Sequence, residues 1–290
     1  MTLDTALKLG RVSNLPTVWS NVLAALVIAG GDVPSIVTVL MLGLSASLLY
    51  VGGMYLNDAF DAELDAKERP ERPIPAGEVS KGTVQTLGFG MLAAGVGGVG
   101  LHTAVVGTGT YAAVLAAAAT VALIVVYDLW HKGNPIGPAI MGLCRVGVYA
   151  LSALSVAPTL TEPVLYGGGL LLLYVLGLTY VAKHENSGTL GRAWPRACLY
   201  LPIIYCLSLL KGTLLLRLLV AGFGMWVSRS IDFAKKGTPA GTRTAVVSLI
   251  AGISLVDAML IARTGQIDLV FPALAAFGLT LVLQRRVAGT

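Results

Sequence analysis

Residues 57–65 read Asn57-Asp58-Ala59-Phe60-Asp61-Ala62-Glu63-Leu64-Asp65 and follow an apolar run over residues 35–56. In a helix Asp58, Asp61 and Asp65 stand at i, i+3 and i+7, so three carboxylates share one face. Like charges this close repel one another unless a positive group sits between them. A hard divalent cation, Mg²⁺, suits the position, because it takes oxygen ligands and often shares them with phosphate. The run therefore points to diphosphate chemistry at a membrane surface.

The rest of the chain supplies the membrane. Of its 290 residues 56% are hydrophobic and 12% charged, whereas a soluble domain carries roughly a quarter charged residues. Apolar segments recur at about 14–30, 35–56, 83–103, 110–127, 137–157, 164–182, 195–210, 213–228, 243–263 and 267–284. They are continuous rather than alternating, which favours helices over barrel strands. The fold class is an all-α polytopic membrane bundle, each helix satisfying its own backbone, in one domain over residues 1–290. Met1 to Gly10 is mixed in charge and the first apolar run has no clear cleavage site, so that run stays as a helix. Cys144, Cys198 and Cys206 fall in apolar segments and read as packing residues.

The net charge of +5 reads as basic loops facing the cytoplasm rather than as a nucleic-acid surface. With the N-terminus inside, 16 of the 20 Lys and Arg residues fall on one side. Lys211, Arg217 and Arg263 fall on the other, and Arg145 lies within a segment. This places both termini and the acidic run on the cytoplasmic side.

Beyond the acidic run the chain continues Ala66-Lys67-Glu68-Arg69-Pro70-Glu71-Arg72-Pro73-Ile74-Pro75-Ala76-Gly77. Arg69 and Arg72 can take phosphate oxygens bidentately, and the prolines and Gly77 stiffen the loop that carries them. The D-x-D-x-D-G spacing of an EF-hand is absent.

Asn57-Asp58-x-x-Asp61-x-x-x-Asp65, followed by Arg69-Pro70-x-Arg72-Pro73 and Gly77, resembles the first aspartate-rich motif of UbiA-type intramembrane prenyltransferases. The loops read most like the UbiA-like branch called EboC. The resemblance implies a nine-helix core, here with a tenth C-terminal helix, and a cavity open to lipid beneath a cytoplasmic cap. It implies Mg²⁺ as cofactor, held by Asp58, Asp61 and Asp65, with Asn57 orienting the group. It also implies a prenyl diphosphate substrate, ionised so that a small acceptor captures the allylic cation.

The loop Tyr127-Asp128-Leu129-Trp130-His131-Lys132-Gly133-Asn134-Pro135 resembles the family loop in which a Lys meets the diphosphate. Lys132 matches that Lys and Asn134 the accompanying Asn, while Asp128 and His131 are extra. A Trp–Lys interfacial anchor is the plainer reading of the same residues. The family's second acidic motif falls at Tyr180-Val181-Ala182-Lys183-His184-Glu185-Asn186-Ser187-Gly188, where only Glu185 is a carboxylate. Either one Mg²⁺ remains, with Lys183 and Arg192 replacing the second, or the site binds without ionising its ligand.

The first segment opens with Arg11 and contains Asn21; the resemblance implies an Arg and a buried Asn near the diphosphate in this helix, while a helix–helix hydrogen bond is the plainer reading of Asn21. Arg145 lies in the fifth segment, where a cation is costly, so it faces the interior. There it suits an acceptor carboxylate, the diphosphate or a structural partner. Asp257, His102 and Arg217 read as structural. The catalytic expectation rests on Asp58, Asp61, Asp65, Lys132, Lys183 and Glu185. Substrate binding is expected of Asn21, Asn57, Arg69, Arg72, Asn134 and Arg145. The alternative is a non-catalytic membrane protein that binds a prenyl lipid or assists export of a small metabolite.

Overall fold

The computed structural model describes residues 1–106, 111–183, 193–207 and 213–287. A short helix, α1 (Leu3–Leu9), is capped by the Thr2 hydroxyl, which accepts from Thr5 N at 3.2 Å. Then come α2 (Leu15–Gly30), α3 (Ile36–Glu68), α4 (Lys81–Val106), α5 (Tyr111–Trp130), α6 (Gly137–Leu154) and α7 (Glu162–Ala182). Three short pieces follow: α8 (Ala193–Ala197), a 3-10 turn over Cys198–Tyr200, and α9 (Leu201–Leu207). The chain closes with α10 (Leu214–Ala234), α11 (Pro239–Thr264) and α12 (Val270–Leu283). Prolines at the first turns of α2, α6, α7 and α11 stand where an N–H has no intrahelical partner. Gly31 and Gly265 end α2 and α11 in the left-handed conformation.

Among the described residues, eight helices are long and apolar enough to cross a membrane: α2 to α7, α10 and α11. The tenth expected segment is a shorter apolar stretch, Ile267–Leu283. In its described part, residues 193–207, the seventh is helical throughout but changes helix type. Pro195 and Pro202 each lack a backbone donor, and the segment breaks into α8, the 3-10 turn and α9. Residues 208–212, with the expected break at Lys211-Gly212, lie outside the described residues.

α2 and α11 form the centre. Their apolar windows are 72% and 83% buried, against 22% for α4 and α5, which turn most of their surface outward. α3 packs along α4 through small residues. A Cβ on Gly52 would stand 2.8 Å from the Gly88 carbonyl oxygen, so the backbones approach closely only because both positions are glycine. α3 runs to Glu68, well past the apolar stretch, and carries the acidic run on its last turns.

Candidate active site

Asn57, Asp58, Asp61 and Asp65 are buried at 7%, 6%, 7% and 4% exposure. Burying carboxylates is costly unless they are paired, and three other elements bring the pairs. Arg11, between α1 and α2, places Nη2 at 3.0 Å from Asp58 Oδ1 and 3.4 Å from Asn57 Oδ1. Arg72, in the loop after α3, places Nη1 at 2.7 Å from Asp65 Oδ2 and 3.3 Å from Asp58 Oδ1. Lys132, after α5, places Nζ at 3.0 Å from Asp61 Oδ2, with His131 Nε2 at 3.6 Å from the same oxygen.

Local structure fixes each base. Arg11 has φ 42° and ψ 46°, a left-handed conformation that no other described non-glycine residue adopts. Such strain costs about 1–2 kcal/mol, and here it turns the chain between two helices so that the side chain reaches α3. Burial works against the Arg11 charge, but Asp58 and the Tyr50 and Tyr127 hydroxyls outweigh it, and its pKa moves up. The Arg72 loop is folded on itself, with Ala76 N donating to Arg72 O at 2.9 Å and Glu78 N to Pro73 O at 2.9 Å. Ile74 and Val79 pin it against Leu9, Tyr55, Ala59 and Val84. His131 stacks on Tyr127 with ring centroids 4.8 Å apart.

These groups border a cavity of about 490 Å³. Its charged end is lined by Asn57, Asp61, Asp65, Arg69, Arg72, Lys132 and Lys183, and its apolar walls include Leu49, Ile124, Met141, Val148, Leu178 and Ile253. Asp58 stands behind this lining, bridged by Arg11 and Arg72. Lys183 donates to the Asn134 carbonyl at 2.7 Å, tying the end of α7 to the loop after α5. Asn134 does not line the cavity; its Oδ1 accepts from Ile136 N at 2.9 Å. Asn21 is fully buried away from the cavity, while Arg145 lines it. Glu185, His184 and Arg192 lie outside the described residues.

The structure adds residues to the set read from the sequence. Arg11 opens the first segment, where the family resemblance implies an Arg near the diphosphate, and the structure sets it against Asp58. Asp128 accepts from Asn57 Nδ2 at 3.1 Å, and its Oδ2 is buried with no hydrogen-bond partner. Its signal was an acid in the last turn of an apolar run. Asp257, read as a structural group, is fully buried and joins α2, α6 and α11. It accepts from Ser20 at 2.6 Å, from Asn21 at 2.8 Å and from the Tyr149 hydroxyl. His102 is also fully buried, its Nε2 3.3 Å from Thr38 Oγ1.

Mg²⁺ fits the donor set. Asp61 and Asp65 present hard oxygens to the cavity, and Asp128 keeps one buried oxygen unpartnered. Among the described residues no three His, Cys, Asp or Glu side chains converge as a cage. Mg²⁺ in general keeps several waters and binds through one or two carboxylates and substrate phosphate.

Residues 17–243 match the UbiA prenyltransferase family. The chain belongs to that family. Its UbiA-family relatives include the digeranylgeranylglyceryl phosphate synthase of Methanopyrus kandleri, 38% identical over 93 residues, or 31% of this chain and 33% of that protein. The synthase of the same name from Methanoculleus marisnigri is 30% identical over 138 residues, 47% of this chain and 46% of that protein. The matched stretches thus span less than half the length of these curated relatives. A solved structure concerning digeranylgeranylglyceryl phosphate synthase in membranes aligns with a TM-score of 0.63 at 19% identity, over 92% of this chain and 99% of that one. A UbiA homolog from Aeropyrum pernix K1 aligns with a TM-score of 0.51 at 16% identity, over 95% and 98%. At those identities the likeness is one of fold. This UbiA-family chain is an integral, multi-pass membrane protein with the helical fold of its relatives.

Proposed function

We propose that this chain is a Mg²⁺-dependent membrane prenyltransferase that moves a prenyl group from a prenyl diphosphate to a small acceptor. The observation that carries this reading is one cavity whose charged end holds paired carboxylates and bases and whose walls are apolar. A diphosphate needs the first and a prenyl tail the second.

Asp61 and Asp65 would hold the metal, while Asp58 and Asn57 keep the surrounding bases in place. Mg²⁺, when bound, neutralises diphosphate charge and makes it a better leaving group. Arg11, Arg72 and Lys132 lie in ion pairs with the acid face, so a diphosphate arriving there is met by cations already positioned. Arg69 lines the same end. Lys183, anchored on the Asn134 carbonyl, closes it from the α7 side; Glu185, two positions on in sequence, is the carboxylate expected to assist it. The allylic C–O bond breaks with both electrons leaving on the diphosphate. The acceptor forms the new bond to carbon and loses a proton. The split of 16 basic residues against 3 supports a cytoplasmic N-terminus and catalytic face.

A second reading, a non-catalytic prenyl-lipid binder, is favoured by the 180–188 stretch, which offers a single carboxylate. The experiment is to incubate the purified full chain with Mg²⁺ and prenyl diphosphates of several lengths, with and without acceptors, and to measure diphosphate release and prenylated product. Release with product supports the transferase. Tight Mg²⁺-dependent binding without release supports the binder.

A further inference from the structure

His131 meets the acid cluster through a ring nitrogen that the proposed chemistry does not use. Its Nδ1 lies 3.0 Å from the Tyr127 carbonyl oxygen. A carbonyl only accepts, so Nδ1 carries a proton, and in the neutral ring Nε2 is left with its lone pair. Nε2 stands 3.6 Å from Asp61 Oδ2. That is too long for a hydrogen bond. It matches two ligands of one ion, which at about 2.1 Å each from the metal stand roughly 3–4 Å apart. A metal-binding histidine typically gives its other N–H to a backbone carbonyl or carboxylate, which fixes tautomer and ring direction. His131 already makes that bond.

The pair is held in place from both helices. His131 stacks on Tyr127 with ring centroids 4.8 Å apart and an interplanar angle of 17°. Asp128, one turn before His131, accepts from Asn57 at 3.1 Å, and Asn57 stands one turn before Asp61. The end of α5 is thereby pinned to α3 at one level, and His131 and Asp61 meet at the next. Both line the cavity. Lys132 Nζ lies 3.0 Å from the same Asp61 oxygen, but its side chain is 51% exposed, so it can swing to an arriving phosphate. Among the described residues no group of three His, Cys, Asp or Glu side chains forms here, so the remaining ligand positions fall to water and phosphate oxygen.

We infer that His131 Nε2 and Asp61 form a mixed nitrogen–oxygen site that takes a divalent first-row transition ion, such as Mn²⁺ or Co²⁺, in preference to Mg²⁺. Imidazole is a softer donor than carboxylate, and Mg²⁺ favours oxygen. That the ion then meets a prenyl diphosphate rests on the transferase reading; that His131 ligates it does not. The test is pulsed electron paramagnetic resonance on the purified full chain loaded with Mn²⁺, with and without inorganic pyrophosphate, beside titrations of Co²⁺ and Mg²⁺. Wild type shows bound Mn²⁺ with nitrogen hyperfine coupling from a directly bound imidazole, and His131→Gln loses that coupling. In the same variant the ratio of Co²⁺ to Mg²⁺ affinity falls about tenfold or more, while Mg²⁺ affinity alone moves by less than about threefold. Mn²⁺ bound to wild type without nitrogen coupling, or no bound Mn²⁺ in either condition, overturns the inference without any variant. Coupling that survives in His131→Gln belongs to His102 or His184 and overturns it as well. So does a His131→Gln that weakens both ions equally. Coupling that depends on His131, in a chain that releases no diphosphate from any prenyl diphosphate, overturns the transferase reading and leaves the metal site standing.

Discussion

Arg72 closes back onto Asp65, its Nη1 2.7 Å from Asp65 Oδ2, so a loop outside the membrane is latched to the last turns of α3. The pair is mostly buried, with side chains 17% and 6% exposed, so solvent screens it less than a surface pair.

In the proposed account that latch is also the phosphate clamp. Arg72→Ala is expected to raise KM for prenyl diphosphate by roughly 10- to 100-fold, the scale of a charged hydrogen bond of about 1.5–3 kcal/mol. Arg72→Lys recovers only part of this, because an ammonium lacks the planar fork. Steady-state kinetics across prenyl diphosphate concentrations reads both.

Arg11 trades backbone strain for position. Arg11→Gly removes the left-handed penalty of about 1–2 kcal/mol but also removes the cation at Asp58. The expected outcome is a variant whose thermal midpoint in detergent stays close to wild type while turnover falls about tenfold or more. Equal activity in Arg11→Gly contradicts a role for the guanidinium.

Asp257 is the knot of the buried polar network. Asp257→Ala strips partners from Ser20, Asn21 and Tyr149 at once and is expected to cost about 3 kcal/mol or more. Tyr149→Phe removes one hydroxyl and costs about 1 kcal/mol. Thermal unfolding of the detergent-solubilised chain checks the order.

The α3–α4 seam gives a packing test. Gly52→Ala places a Cβ 2.8 Å from a backbone oxygen, whereas at Gly90 nothing lies within 4 Å. Gly52→Ala is expected to destabilise by about 1–3 kcal/mol and Gly90→Ala to leave the thermal midpoint in place.

The fold was legible because apolar length is a strong signal in a membrane chain, and the acidic face because Asp58, Asp61 and Asp65 follow helical spacing. The 3-10 turn inside the seventh segment was not legible, because hydropathy does not register what Pro195 and Pro202 do to a helix. Arg72 was legible from its Arg-Pro motif, and Lys132 from its resemblance to the family's lysine. The partners of Arg11 and Asp257 were not legible, because they lie 47 and 237 positions away in sequence. The difference between Asp58, behind the cavity wall, and Asp61, on it, is a matter of side-chain direction that spacing on one helix face leaves open.

The most direct test of the central claim, that the α3 acid face takes a diphosphate through Mg²⁺, is prenyl diphosphate binding to the full chain with and without Mg²⁺. It is run in wild type and in the Asp61→Asn, Asp65→Asn double variant. The account predicts that wild type loses about 100-fold in affinity or more when Mg²⁺ is chelated, and that the double variant binds weakly and without response to the ion. Equal wild-type affinity with and without Mg²⁺, or a double variant that keeps the full Mg²⁺ response, contradicts it.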